Sequence, residues 1–277
     1  MPLRKLLVAF NFSPAWRRTV RIGKTRFHAI SFDRLLNLYL HRFGCMGSQE
    51  MAFLRAVVKP GMAVVDVGAN QGLYTLLLSD LVGASGSVVA FEPDRELFEN
   101  LLQNCEANHA RNVRAYQTAI GSLCGEATLS RSLLNAGDNR FAPGHRPDES
   151  KSISVKVMSL DKILEGRPVD FIKIDVQGWE LEVFRGMEQT LACNPHVKLH
   201  FEFWPYGLMK AGCEPTAVLT HLSQRGFSVY ECRGQQTCLI EDIDGFVRCL
   251  TGRRYTNLYA QRRHSAWHPD SGSPGNS

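Results

Sequence analysis

The residues of this 277-residue chain best suited to chemistry are the acids Glu50, Asp66, Glu92, Asp175 and Glu202, with Lys173 among them. Asp66 ends the β-branched pair Val64-Val65 and opens a turn of pattern D-x-G-x-N-x-G, carried by Gly68, Asn70 and Gly72. Gly68 lets the backbone take torsions that a Cβ forbids and leaves room for a ligand to approach. Asn70 tolerates left-handed torsions better than most residues. Gly72 lets a following helix start close to the strand, where unpaired N–H groups suit a carboxylate. Glu92 closes the next apolar run, Ser87–Phe91, and is placed to accept two hydrogen bonds from a ribose diol. A dinucleotide site usually carries G-x-G-x-x-G to seat a pyrophosphate, and that pattern is missing here. Asp66 would repel a pyrophosphate but would tolerate a ligand bearing ammonium and sulfonium charges.

A second rich stretch is VDFIKIDVQGWELEVFRGM, residues 169–187. Phe171–Ile174 reads as a strand that carries Lys173 and ends on Asp175, with Gly178 turning the chain. In an open α/β sheet the carboxyl ends of the strands meet at the ligand crevice, which puts Asp175 opposite the glycine turn. The duller reading of Asp175 is a helix cap. The buried lysine two residues earlier favours function. Lys198–Phe203 is the next strand, and strand alternation puts His200 and Glu202 on one face with Glu202 nearer the mouth. Trp204 and Tyr206 follow it and offer flat faces to an acceptor or a cation. Glu50 either meets the ligand's ammonium or is an ordinary first-turn acid of its helix. Thr118 to Ile120, including Ala119, would border an adenine at the end of the third strand.

These residues need positioning elements, and the hydrophobic pattern supplies them. A helix over Ser48–Val58 stops at Lys59-Pro60-Gly61. Leu73, Leu76, Leu77 and Leu81 mark the helix after the turn, and Leu97, Leu101 and Leu102 mark one from Arg95 to Asn108. Val113–Thr118, a short Ala127–Leu129 and Ile153–Val157 read as strands. Leu160–Leu164 and Trp179–Leu191 read as helices, as does Pro215–Arg225. Phe227–Cys232 with Cys238–Ile240 suggests a hairpin, and Tyr255–Ala260 a final strand. The polar stretch 131–151 is too long for an idle connector and is expected to be a lid or mobile loop. Its Arg140, His145 and Arg146 each read, taken singly, as solvent-exposed side chains.

Hydrophobic residues make up 44% of the chain, enough for one sizeable core. The first 32 residues hold seven basic side chains and no acid, so with +5 overall the remainder sums to −2. The expected organisation is a basic, helical N-terminal region over 1–47, with a short helix near Leu35–Leu40, a main domain over 48–264 and a disordered tail over 265–277. A solvated arm is the plainer reading of the basic segment, and contact with phosphate, an acidic glycan or an anionic surface is the sharper one. The eight cysteines form no C-x-x-C pair, which argues against a zinc site, and no metal ligands are assigned. No export signal is read at the N-terminus and no run reaches membrane-span length, so the expectation is a reduced, cytoplasmic protein with no integral membrane association.

GMAVVDVGANQGLYT, VVAFEPD, VKVMSLDKIL, VDFIKIDVQGWELEVFRGM and KLHFEFWP together resemble the FkbM family of S-adenosylmethionine-dependent methyltransferases, over roughly residues 48–206. The resemblance implies a Rossmann-like class I methyltransferase fold, α/β with a mostly parallel seven-stranded sheet and helices on both faces. It implies S-adenosyl-L-methionine as cofactor and O-methylation of a hydroxyl on a sugar or secondary metabolite. It carries over Asp66, Gly68, Asn70 and Gly72 as the cofactor turn, Glu92 as the ribose acid, and Asp175 in the K-I-D-V segment. The family often has an acid where this chain has Gln177.

Methyl transfer to a hydroxyl needs alignment and a nearby base. Asp175 is the first candidate for that base, Glu202 the second and His200 a distant third. The acceptor would be a small molecule or glycan. One rival is a nucleotide-binding oxidoreductase. Another is a non-catalytic nucleotide-binding module, or a nucleic-acid methyltransferase, using the basic arm. No aromatic-interleaved basic patch supports a nucleic-acid partner.

Overall fold

In the computed structural model, the residues described are 19–22, 25–29, 48–132, 137, 139–141, 150–234 and 236–262. The helix expected near Leu35–Leu40, the tail 265–277, His145 and Arg146 lie outside them. What is described of the N-terminal region is not helical. Thr19–Ile22 (β1) and Thr25–His28 (β2) form an antiparallel pair instead.

The main sheet has eight strands in the order β12-β11-β13-β10-β9-β3-β4-β5. They are Ala63–Val67 (β3), Ser87–Phe91 (β4), Val113–Tyr116 (β5), Phe171–Ile174 (β9), Lys198–Phe203 (β10), Phe227–Arg233 (β11), Gln236–Leu239 (β12) and Thr256–Arg262 (β13). The five from β5 to β10 run parallel, and β13 joins antiparallel to β10. The count is eight rather than the expected seven, because β12 returns from β11 as a hairpin and adds an edge strand. A smaller sheet, β6-β8-β7, is built from Ala119–Ile120 (β6), Gly125–Ser132 (β7) and Ser150–Met158 (β8).

The helices are Ser48–Val57 (α1), Leu73–Val82 (α2), Arg95–Ala107 (α3), Leu160–Leu164 (α4), Glu180–Arg185 (α5), Glu188–Cys193 (α6), Pro205–Lys210 (α7), Pro215–Gln224 (α8) and Ile243–Cys249 (α9). The single helix expected over Trp179–Leu191 is two. It breaks at Gly186, where the chain presses on Gly121: a Cβ there would sit 2.2 Å from the Gly121 carbonyl oxygen. Among the described residues no helix is long and apolar enough to cross a membrane.

Successive strand residues point to opposite faces of the sheet. Val65, Val67, Ile172, Ile174, Leu199, Phe201 and Phe203 therefore bury on one face, with Leu160, Phe184, Leu191 and Leu219 from α4, α5, α6 and α8. The other face is apolar at its base, where Val64, Val88, Phe171 and Tyr259 pack with Phe53, Leu54 and Leu78 from α1 and α2. One pleat higher this second face changes character. Asp66, Lys173 and His200 are direct register neighbours across β3, β9 and β10, and all three are buried. A polar row inside a domain is costly unless its members satisfy one another or a ligand.

Candidate active site

The glycine turn sits at the carboxyl end of β3 and is held by backbone contacts. The N–H groups of Gly68 and Ala69 both donate to the Phe91 carbonyl, at 3.0 and 2.9 Å. Gly68 (φ +82°) and Gly72 (φ +90°) occupy left-handed torsions, and Asn70 joins them at φ +51°. The space at both glycines is taken by protein. A Cβ on Gly68 would lie 1.9 Å from the Asp175 carbonyl oxygen, and one on Gly72 would lie 2.4 Å from Leu101 Cδ1. The glycines thus serve close packing of β9 and α3, where the pattern alone suggested room for a ligand and a helix close to its strand. Gly72 caps α2 with no side-chain acceptor, leaving the donors of that first turn without one.

Glu92 closes onto the same turn. Its Oε2 accepts from the Asn70 N–H at 2.8 Å and its Oε1 from the Asp94 N–H at 2.9 Å. Burial pushes its carboxyl up to about 8, against the pull of those two N–H donors. Asp94 caps α3 and takes an ion pair from Arg131 at 2.9 Å, which ties β7 to this side of the cleft. Asp66 is wholly buried; Thr75 Oγ1 donates to its Oδ2 at 2.7 Å, and its Oδ1 has no hydrogen-bond partner.

Lys173 lies at the centre of the polar row, and four carboxylates act on it. Burial works against its charge, yet Asp175, Glu50, Asp66 and Glu202 together hold it above the usual lysine range. Its Nζ is 3.5 Å from Asp175 Oδ2 and 4.4 Å from the centre of the Tyr74 ring. Tyr74 in turn donates to Glu50 Oε2 at 2.5 Å. Burial raises the carboxyls of Glu50, Asp66 and Glu202, and mutual repulsion among the acids adds to it. His200 is pushed down to about 3 by burial and by Lys173, so it is neutral, and neither ring nitrogen has a hydrogen-bond partner. The distant-third candidate base thus lies in the floor, stacked on Phe53.

Exposure sorts the acids. The Asp175 side chain is 32% exposed, whereas that of Lys173 is 2% and that of Glu50 14%. Asp175 is therefore more open to solvent or a second substrate than Glu50, and Glu202 is half-buried like it. Gln177, at φ +54°, donates from Nε2 to Asp175 Oδ1 at 2.8 Å and to Glu202 Oε2 at 2.6 Å. Glu50, Asp66, Lys173, Asp175 and Glu202 thus form one cluster, with Glu92 joined to it through the turn. Ala119 is buried in β6, its side chain packed with Leu129, Phe141, Val155 and Val157.

Sequence reasoning missed Tyr74, Thr75 and the bridging part of Gln177. The signal for the first two was present, since they are the polar side chains in the otherwise apolar first turns of α2. Arg140 also differs from expectation. It is buried, pairs its backbone with Ser130, and lies 4.9 Å from the centre of the Trp204 ring. The ends of the 131–151 stretch belong to the β7–β8 hairpin, with Arg131 opposite Lys151 and Ser132 opposite Ser150.

Comparison with known proteins decides the family. Residues 66–229, more than half of the chain, match the methyltransferase FkbM domain. The chain belongs to the FkbM methyltransferase family. This FkbM chain is 31% identical over 166 residues to the hexuronic acid methyltransferase AglP of Haloferax volcanii, covering 59% of this chain and 62% of AglP. It is 26% identical over 145 residues to Methyltransferase 1 of Beauveria bassiana, covering 45% of this chain and 58% of the relative. The matches thus span about three fifths of these relatives' own length. A solved SAM-dependent methyltransferase from Aquifex aeolicus aligns over 77% of this chain and 92% of its own, at 18% identity and a TM-score of 0.43. Among the described residues no three His, Cys, Asp or Glu side chains converge as a metal site.

Proposed function

We propose that this FkbM methyltransferase transfers the methyl group of S-adenosylmethionine to a hydroxyl oxygen of a sugar or secondary-metabolite acceptor. The observation that carries the reading is the charge imbalance of the polar row. Four carboxylates, Glu50, Asp66, Asp175 and Glu202, act on a single buried cation, Lys173, and Asp66 Oδ1 is left without a partner. A ligand bearing positive charge relieves that imbalance, and S-adenosylmethionine carries both an ammonium and a sulfonium.

The residues fit the cofactor group by group. Asp66 and Glu50 supply negative charge for the ammonium, and the uncapped start of α2 suits its carboxylate. Glu92 has an acceptor lone pair left on each oxygen for the ribose diol. When bound, the cofactor supplies a methyl group already activated by its sulfonium. The protein then aligns the acceptor and removes a proton. Asp175, half-buried at the tip of β9, takes the hydroxyl proton on a carboxylate oxygen, and Glu202, joined to it through Gln177, is the second acceptor. Lys173 holds Asp175 from below. A sugar acceptor is favoured because AglP is a hexuronic acid methyltransferase.

Titration calorimetry with S-adenosylmethionine tests the first half of the proposal, and tritiated methyl transfer to a panel of uronic acids, neutral sugars and polyols tests the second. Saturable binding followed by label on a hydroxyl oxygen is the expected result. Binding without transfer to any hydroxyl, or transfer only to nucleic acid with strong salt dependence, overturns it.

A further inference from the structure

Gln177 holds a conformation that costs it something. At φ +54° it occupies the left-handed region that glycine and asparagine enter more easily, and Gly178 follows at φ +103°. From that strained position its side chain does one thing: Nε2 reaches Asp175 Oδ1 at 2.8 Å and Glu202 Oε2 at 2.6 Å. Both of its N–H groups are used, one for each carboxylate. The amide must present its nitrogen here, because its oxygen would face two acceptors. The local chain is braced as well. The Gly178 N–H donates to Glu180 Oε1 at 3.1 Å, and a Cβ on Gly178 would lie 2.6 Å from the Gly207 backbone of α7.

Resting on the methyl-transfer reading above, we propose that Gln177 is a positioning residue that clamps Asp175 and Glu202 side by side as the proton-accepting pair for the acceptor hydroxyl. A neutral double donor suits this place. Two carboxylates converging on one point repel each other, and Asp175 also raises the carboxyl of Glu202. A cation there would bind both acids too strongly to leave them basic, and an ionised acid there would have no donor to offer either of them. The amide satisfies one oxygen of each and brings no charge of its own. In the reaction the acceptor hydroxyl gives its proton to the carboxylate pair while its oxygen bonds to the methyl carbon, the C–S bonding electrons staying with the departing sulfur. The titratable groups facing the pair are Lys173 from β9, Glu50 from α1, Asp66 from β3, Tyr74 from α2 and Glu180 from α5.

Gln177→Gly tests the clamp without threatening the fold, because glycine removes both donors and relaxes the positive φ. Gln177→Glu keeps the side chain's shape and exchanges donors for a third acid. With the full chain, both variants are expected to lower kcat on the order of 10²-fold. Affinity for S-adenosylmethionine by calorimetry should stay within about twofold in Gln177→Gly, since the amide touches neither Asp66 nor Glu92. The acid limb of its kcat profile should move to higher pH, because hydrogen bonds to the charged carboxylates favour ionisation and are lost. A readout independent of turnover is the ¹³C titration of the Glu202 carboxyl in cofactor-free protein, which should shift the same way.

An unchanged kcat and pH profile, an unmoved Glu202 titration, or a loss of cofactor affinity as large as the loss of kcat each overturn the clamp. A wild-type protein inert toward every hydroxyl acceptor sinks the methyl-transfer reading instead. The Glu202 titration of Gln177→Gly still decides in that case whether the amide holds the pair.

Discussion

The two sides of the cleft are built in different ways. On the β3–β4 side, backbone makes the site: Gly68 and Ala69 donate to Phe91, Asn70 and Asp94 donate to Glu92, and Gly68 has no space for a Cβ beside β9. On the β9–β10 side, side chains make it: Lys173, Asp175, Gln177 and Glu202 arrange one another. Backbone geometry is set by the fold and leaves a pattern of glycines in the sequence. Side-chain geometry is set pair by pair and is open to change without loss of fold.

If that contrast holds, damage to the two sides should separate by kind. Asp175→Asn keeps the size of the side chain and an acceptor for Gln177 while removing the proposed base. It should lower kcat by about 10²–10⁴-fold with the melting temperature and cofactor affinity little changed, as read by tritium transfer, calorimetry and thermal melting. A variant that retains its rate would move the base to Glu202. Gly68→Ala should do the reverse. Its Cβ would collide with the Asp175 carbonyl at 1.9 Å, and alanine resists φ +82°, so stability should fall by roughly 3 kcal/mol or more. In a chain of this size that is a drop on the order of 10 °C in melting temperature.

How far the sequence spoke for each side follows from the same contrast. The D-x-G-x-N-x-G turn, the helix behind it and Glu92 were legible because special torsions need glycine or asparagine, and because α2 repeats its leucines at helical spacing. The strand tips at Asp175 and Glu202 were legible through their apolar runs. What joins them was not. That Gln177 spans both acids depends on a left-handed residue which no periodicity marks. The short helices α7 and α9 were missed because six or seven residues give too few turns for a period to emerge. Gly207 in α7 looks like a breaker, yet it is where the Trp204 ring packs, 2.3 Å from the Cβ that glycine lacks. The β1–β2 pair is short and sits in a segment dominated by basic side chains, which mask the alternation that buries Phe27 between the exposed Arg26 and half-buried His28.

Glu92 gives the next measure, because it is an acid on the backbone-built side. Its carboxyl sits at about 8, above the ordinary value of 4.5, so it is mostly protonated at neutral pH without ligand. A folded-state value above the unfolded one means that Glu92 supports the fold below about pH 4.5 and that this support is lost as pH rises through about 8. Accepting a ribose diol works best from the ionised form. Cofactor binding should therefore release a proton at pH 7, visible as a heat that changes with the buffer's ionisation enthalpy. Affinity should rise about tenfold per pH unit up to pH 8, and Glu92→Gln should flatten that slope. A slope that persists in the variant would assign the proton to Asp66 or Glu50.

The smallest effect tests how far the backbone-built side extends. Strand β2 docks on α3 through two asparagines. Asn108 accepts from the Arg26 N–H at 2.7 Å and donates to its carbonyl at 2.6 Å, and Asn104 treats His28 the same way at 2.8 and 3.1 Å. Beyond the strand they differ: Asn104 also donates to the Gln71 carbonyl, inside the glycine turn, at 2.8 Å and to Asn100 Oδ1 at 3.2 Å, whereas Asn108 donates to the Asn104 carbonyl at 2.7 Å. Asn108→Ala should therefore cost about 1 kcal/mol of stability and leave cofactor affinity alone. Asn104→Ala strips the same strand and also loosens the turn that carries the Asn70 N–H onto Glu92, so it should lose stability and a few-fold in cofactor affinity together. Equal affinities in the two variants would mean that the turn is held by Phe91 and β9 alone, and that β1 and β2 are covering for the domain with no part in the cleft.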